Sequence, residues 1–430
     1  MRLRVLVLAL CACLLTGCTQ PAASVTPSGQ DAQGNWIFDD TVLVGRVVPM
    51  TGTLSSFGSG TPYVEQTAID AINSQGGVVL DGRRCRMELI YRDSGSTVTG
   101  AEEAAQELIQ AGIDVMIVSH TADTVSPVSA ACERAQIPCI SVDAPASAWA
   151  MGGPYQSSWH TFFDNEREML CFLDAWEKVD TNKTIGLLTA NDSEGVEITT
   201  FITDFAEAKG YTVVDPGRYS LDMDDYSAII DTFAQARCDI ILGVMKTNDF
   251  STFWRQCTAT QYRPKMCTVA KSCLFSSDVA ALGELADGLI TEVWWSAEFP
   301  YSSSITGWSS AQLAQDYLEQ YPGLSMVPPT VGYKHANVEI LWDILKRAGS
   351  LELDAVNQAA VATDLDTVVG HVAFNDEHVA LMSCVAGQWV REEDGTFRQE
   401  IVGNYLIPAM EITADIILLP GSDAGTGGGS

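Results

Sequence analysis

The stretch 42-VLVGRVVPMTGTLSSFGSGTPYVEQTAIDAINSQ-75 contains three kinds of segment in unbroken order. Its first eight residues are a β-branched run with the composition of a strand. A Ser-, Thr- and Gly-rich loop follows at 50-MTGTLSSFGSG, then a helix-like segment at 62-PYVEQTAIDAINSQ. Strand, loop and helix in this order begin a βαβ unit, whose strands pair in parallel.

The same alternation continues outward. Strand-like runs recur at 85-CRMELIYR, 114-DVMIVS, 138-PCISV, 183-KTIGLLTA, 238-CDIILGVM, 266-MCTVA and 288-GLITEVWW. Helix-like segments recur at 100-GAEEAAQELIQAG, 125-VSPVSAACERAQ, 195-GVEITTFITDFAEAKG, 224-DDYSAIIDTFAQA and 248-NDFSTFWRQCTA. In the first of these, Ala101, Ala104, Ala105 and Leu108 recur at helical spacing. The alternation runs twice, over 41–150 and 183–295. This predicts an α/β protein of two similar lobes, each with a mostly parallel sheet flanked by helices. Parallel sheets bind ligands at the carboxyl ends of their strands. That directs attention to 50-MTGTLSSFGSG, 119-SHTADT, 143-DAPASAW, 190-ANDSEG, 245-MKTND and 270-AKSC. Several of these lead into helices, whose free N–H groups suit anionic or polar ligand groups.

The chain carries 24 basic and 55 acidic residues. That balance excludes nucleic acid, which needs a basic footprint. The five histidines form no HExxH spacing, no GxSxG elbow follows a strand, and neither GxGxxG nor GxxxxGK occurs. The carboxylates at 222-DMDD lack the late glutamate of a calcium loop. The chain therefore reads as a non-enzyme with no catalytic residue, no metal and no cofactor. Nine cysteines lie beyond Cys18, mostly in apolar runs, and read as small buried hydrophobes. Cys257 and Cys267 bracket a loop and could pair.

An ordered set of short matches carries a more specific resemblance. Met50-Thr51-Gly52, Ser56-Phe57-Gly58, the helix from Ala68 to Asn73 and Gly76-Gly77 come first. Tyr91-Arg92-Asp93, Ile117-Val118-Ser119, Asp225-Tyr226-Ser227, Gly332-Tyr333 and 370-GHVAF-374 follow in order. Together they resemble a type I periplasmic (solute) binding protein of the branched-chain amino acid/amide ABC transporter class, over about residues 40–405. Met50 replaces the family's usual leucine, and 391–420 extend past its usual end.

The resemblance implies two lobes joined by three hinge strands near 161–163, 296–300 and 370–374. Lobe 1 comprises 41–162 plus 300–371, and lobe 2 comprises 163–299 plus 372–420. A small-molecule ligand lies between them and is passed to an ABC permease and ATPase on separate chains. A monomer is expected. The alternative is a ligand-sensing receptor subunit of the same fold.

Carried over by position, the resemblance places ligand contacts at Ser56, Phe57, Thr121, Ala122, Asp123, Thr124, Asp143, Ala144 and Ser147 in lobe 1. In lobe 2 it places them at Glu194, Lys246, Thr247 and Lys271. Lys271 falls where amino acid binders place an acid for the ligand's ammonium. Lys246 and Lys271 together favour a carboxylate, whereas Asp123, Asp143 and Glu194 favour amide or amine donors. Amino acid, amide and carboxylate all stay open.

The N-terminus adds a targeting reading. Arg2 and Arg4 precede an apolar run about half the length of a spanning helix, ending at 15-LTGC-18. This resembles a lipoprotein signal peptide over 1–17, cleaved before Cys18, with a lipid on Cys18 as the only membrane attachment. The predicted location is extracytoplasmic. Residues 18–38 are Pro, Ser, Gly and Gln rich and suit a flexible tether. Residues 421–430 read as a disordered tail.

Overall fold

The computed structural model describes residues 29–221 and 223–422. The expected signal peptide, Cys18, the tether up to residue 28 and residues 423–430 of the tail lie outside the described residues. Residues 29–37 form a local turn of their own, in which the Asp31 carboxylate accepts N–H bonds from Gln33 (2.9 Å) and Asn35 (2.8 Å).

From residue 38 the chain builds two seven-stranded sheets. The first takes β1 (Asp40–Val48), β2 (Val78–Leu80), β3 (Arg83–Asp93), β4 (Val115–Ser119), β5 (Cys139–Val142) and β6 (Ser158–Phe162). The second takes β7 (Thr184–Thr189), β8 (Thr212–Val214), β9 (Ile240–Val244), β10 (Met266–Ala270) and β11 (Ile290–Val293). A two-stranded ribbon, β12 (Leu365–Thr367) with β13 (Gly370–Val372), follows. Then come β14 (Val379–Leu381), β15 (Val385–Arg391) and β16 (Phe397–Gly403).

The sheet orders are β14-β6-β5-β4-β1-β3-β2 and β16-β15-β11-β10-β9-β7-β8. All pairs are parallel except β2 with β3, β11 with β15 and β15 with β16. Helices cover both faces, which is why central strands such as β4, β9 and β10 are buried along their whole length. This is the two-lobed α/β architecture expected from the alternation.

The third crossing differs from expectation. β14 pairs with β6 in the first sheet, so the chain passes to the second sheet after Leu381 and not near 370–374. The 370–374 segment instead contributes to the β12–β13 ribbon. The extension beyond residue 391 is also structural, because β16 adds an edge strand to the second sheet. Its continuation returns to that sheet, where Ile417 N–H donates to Gln388 Oε1 (2.9 Å) and Leu419 N–H to Lys265 O (3.0 Å).

Helix Thr330–Ala348 is buried along most of its length. A Cβ on its Gly332 would overlap the Trp295 indole, so glycine there lets the helix backbone lie against the chain leaving β11. All nine described cysteines are free and buried. Cys257 and Cys267 do not pair, contrary to the disulfide considered above.

Candidate functional site

The carboxyl ends of both sheets face one small cavity. From the first sheet it is lined by Phe57, Thr121, Asp143, Pro145, Phe162 and Phe163. From the second come Glu168, Glu194, Lys271, Leu274, Glu292 and Trp294. The cavity offers about 30 Å³, room for a water or two, so a larger ligand needs the lobes to part. Two contacts close the rim. Phe57 meets Phe275 edge to face at 5.0 Å. Asp123, in the first turn of helix Ala122–Ala135, pairs with Lys246, the N-cap of helix Thr247–Ala259, at 3.4 Å.

The lining loops hold costly backbone. His120, Thr121, Asp143, Lys271 and Cys273 all have positive φ, between 55° and 76°. Left-handed geometry at non-glycine residues costs about 1 kcal/mol or more each and gathers at ligand clamps. The first-sheet loops are tied together by Thr121 N–H, which donates to Asp143 O (3.1 Å).

Behind Asp143 lies a directional relay. Buried Arg46 is anchored on Glu65 (2.7 Å) and donates to Ser119 Oγ (2.7 Å). The Ser119 hydroxyl lies 2.7 Å from His120 Nε2, and His120 Nδ1 lies 2.8 Å from Asp143 Oδ2. Burial pulls His120 well below its ordinary pKa, with Lys334 and Arg46 adding to the effect. A neutral His120 therefore accepts from Ser119 and donates to Asp143. Burial raises Asp143 well above its ordinary range, and Lys334 and Arg46 oppose that rise. Asp143 Oδ1 is buried without a hydrogen-bond partner and belongs to a residue that lines the cavity.

The second lobe is acidic. Lys271 Nζ sits 3.0 Å from Glu194 and 3.2 Å from Asp192, all three nearly fully buried. Burial alone would lower the Lys271 pKa, but Glu194 and Asp192 outweigh it and raise it. The two acids respond differently. Burial raises Glu194 on balance, whereas Lys271 and the Gly195 N–H hold Asp192 below its usual range despite its burial. Glu292 accepts from the Lys271 N–H through Oε1 (3.1 Å), and its Oε2 is buried without a partner. Burial pushes Glu292 up to about 8 and raises Glu168 well above the carboxylate range, the latter reinforced by Glu292.

Phe57, Thr121, Asp143, Glu194 and Lys271 all line the cavity. Asp123 and Lys246 meet each other at its rim, and Ser56 lines an adjoining groove beside Phe275. Ala122 and Thr124 are buried at the start of helix Ala122–Ala135 without lining the cavity. Ala144 offers its carbonyl to His160 Nε2 (2.7 Å), Ser147 Oγ accepts from Asn165 N–H (3.3 Å), and Thr247 Oγ donates to Asp278 (3.1 Å). A basic second-lobe pocket does not form. Lys271 is neutralised by two acids and Lys246 by one, so neither is free for a ligand carboxylate.

Glu168 and Glu292 were missed by position. Glu292 had a visible signal as the one charge inside the apolar run 288-GLITEVWW.

Two parallel α/β lobes around a buried polar cleft define the type I periplasmic binding protein fold. A model described as "Periplasmic binding protein" matches residues 41–395, and the chain belongs to that family. Leu/Ile/Val-binding protein homolog 8 of Brucella abortus (strain 2308) is 23% identical over 231 residues, which cover 52% of this chain and 56% of that protein. The chain therefore spans about half the length of the curated relatives it matches. The leucine binding protein LivK of Thermotoga maritima MSB8 superposes with a TM-score of 0.70 at 17% identity, covering 85% of this chain and 99% of that one. A solute binding protein of an ABC transporter from Rhodopseudomonas palustris BisB5, solved with 3,4-dihydroxy benzoic acid, gives 0.66 at 17% identity, covering 89% and 99%. The family implies an extracytoplasmic location. Among the described residues no helix is long and apolar enough to cross a membrane.

Proposed function

We propose that this chain is an extracytoplasmic solute-binding protein, anchored by a lipid on Cys18. It captures a small polar ligand between its lobes and delivers it to an ABC permease and ATPase carried on separate chains. The observation that carries this reading is a cavity shared by both lobes with unsatisfied buried polar atoms around it. Thr121 Oγ1, Asp143 Oδ1, Glu292 Oε2 and Trp294 Nε1 all lack partners among the described residues. Such atoms are costly to bury unless a ligand or ordered water completes them. Three of the four lining sites that lack a partner can accept a hydrogen bond, which favours a donor-rich ligand over a simple carboxylate.

Ser119, His120 and Asp143 contain the residue types of a nucleophile relay. Ser119 is nevertheless fully buried and takes the Arg46 hydrogen bond, so no activated hydroxyl reaches the cleft. This supports a binding role over acyl transfer.

The test is thermal unfolding of the full chain against amino acids, amides, amines and carboxylates. A ligand at 100 times Kd adds about 2.7 kcal/mol, a clear rise in melting temperature. No rise with any class, together with an unchanged scattering radius, would overturn the reading.

A further inference from the structure

The cavity gathers more carboxyl groups than its one lysine can pair with. Asp143, Glu168, Glu194 and Glu292 line it, and Lys271 is the only cation among its lining residues. Lys271 is already shared between Glu194 and Asp192. The nearby cations among the described residues are likewise occupied. Lys246 holds Asp123 at the rim. Arg46 is spent on Glu65, Val47 O and Ser119. Lys334 donates to Ser59 O and Thr330 Oγ1.

Three acids therefore face the cavity without a paired cation. Asp143 and Glu292 are 3% and 2% exposed, and each keeps one carboxylate oxygen unpartnered. A buried carboxylate is retained only where something completes it. The remaining walls are the rings of Phe57, Phe162, Phe163 and Trp294, whose faces attract cations as well as apolar carbon. A ligand carboxylate would meet no unpaired positive side chain here, whereas a ligand cation would complete the unpartnered carboxyl oxygens and hold the acids in their ionised form.

Resting on the solute-binding reading above, we propose that the cleft selects an organic cation. Its ammonium or guanidinium group lies among Asp143, Glu168 and Glu292, and no carboxylate of its own cancels its charge. Its carbon body packs on Trp294 and the phenylalanines. The acids are deeply buried, so the charge pairing is strong in this site and specific for positive ligands.

Isothermal titration and thermal unfolding of the full chain, with agmatine, cadaverine and phenethylamine against leucine, phenylalanine and benzoate, test this. An amine is expected to bind more tightly than every zwitterion and carboxylate. Glu292→Gln should weaken it by about thirtyfold or more. Glu168→Gln should do the same by an independent route. Both variants should melt no lower than the parent without ligand, because each replaces a buried acid with a neutral amide of the same shape. Leucine or benzoate binding as tightly as any amine overturns the cation and leaves the solute-binding reading standing. An amine affinity unchanged in both variants also overturns it. Failure of every probe at millimolar concentration overturns both.

Discussion

Asp123 Oδ2 lies 3.4 Å from Lys246 Nζ, and the two residues sit at the starts of helices that follow different sheets. The pair spans the cleft, so it exists only while the lobes are together. Partly exposed pairs contribute about 0.2–1 kcal/mol. Asp123→Asn should therefore speed ligand release by no more than about fivefold, with little change in the melting temperature of the ligand-free chain. Stopped-flow dissociation at low and high salt checks this. An equal slowing of association would assign the pair to steering instead of closure.

Lys271 is a structural cation in this protein. Lys271→Met leaves Asp192 and Glu194 buried without their partner, which costs about 3–5 kcal/mol. Adding Glu194→Gln should recover part of that loss, and a urea double-mutant cycle measures the coupling. If Lys271→Met instead removed carboxylate binding without destabilising the chain, the basic-pocket reading would be restored.

The buried acids give stability a pH dependence of definite sign. Burial pushes Glu292 up to about 8, and Glu197 and Glu339 up to about 7, from 4.5. The folded chain holds these protons where the unfolded chain has released them. Their contribution is complete below about 4.5 and is lost as pH rises to about 8. Lys334, lowered by burial to about 7 from 10.5, opposes this trend above neutrality. His160 and His335, lowered by burial to about 4, contribute fully above 6.5 and lose that contribution as pH falls. The carboxylates outnumber the lysine, so the melting temperature should fall from about pH 7 to about pH 8. Glu292→Gln should flatten that slope; an identical slope in the variant would remove Glu292 from the account.

The proposed lipid anchor depends on Cys18. Cys18→Ser should abolish incorporation of an alkyne fatty acid and release the chain from the membrane fraction. Retention of the label in the variant would place the lipid elsewhere. An unlabelled parent chain would mean an ordinary secretory signal.

The fold was legible because its causes are local. β-branched runs such as 42–49 and 183–190 can be recognised within a few residues, as can the helical spacing of Ala101, Ala104, Ala105 and Leu108. Their alternation leaves few topologies open. The third crossing was misplaced because 370-GHVAF has strand composition in either setting. Only the pairing of β14 with β6 decides which sheet the chain is leaving.

The charges behaved differently. Position along the chain pointed to Lys271, Asp143 and Glu194 as candidates, but said nothing of their partners. Lys271 meets Asp192 from 79 residues away, and Glu168 reaches the same cavity from a helix whose other face is core. Electrostatic energy depends on distance and burial, and neither is encoded locally. The sequence by itself determined two α/β lobes with polar loops at the carboxyl ends of their strands. Tertiary structure alone decided that the lysine would be neutralised and the cleft left acidic.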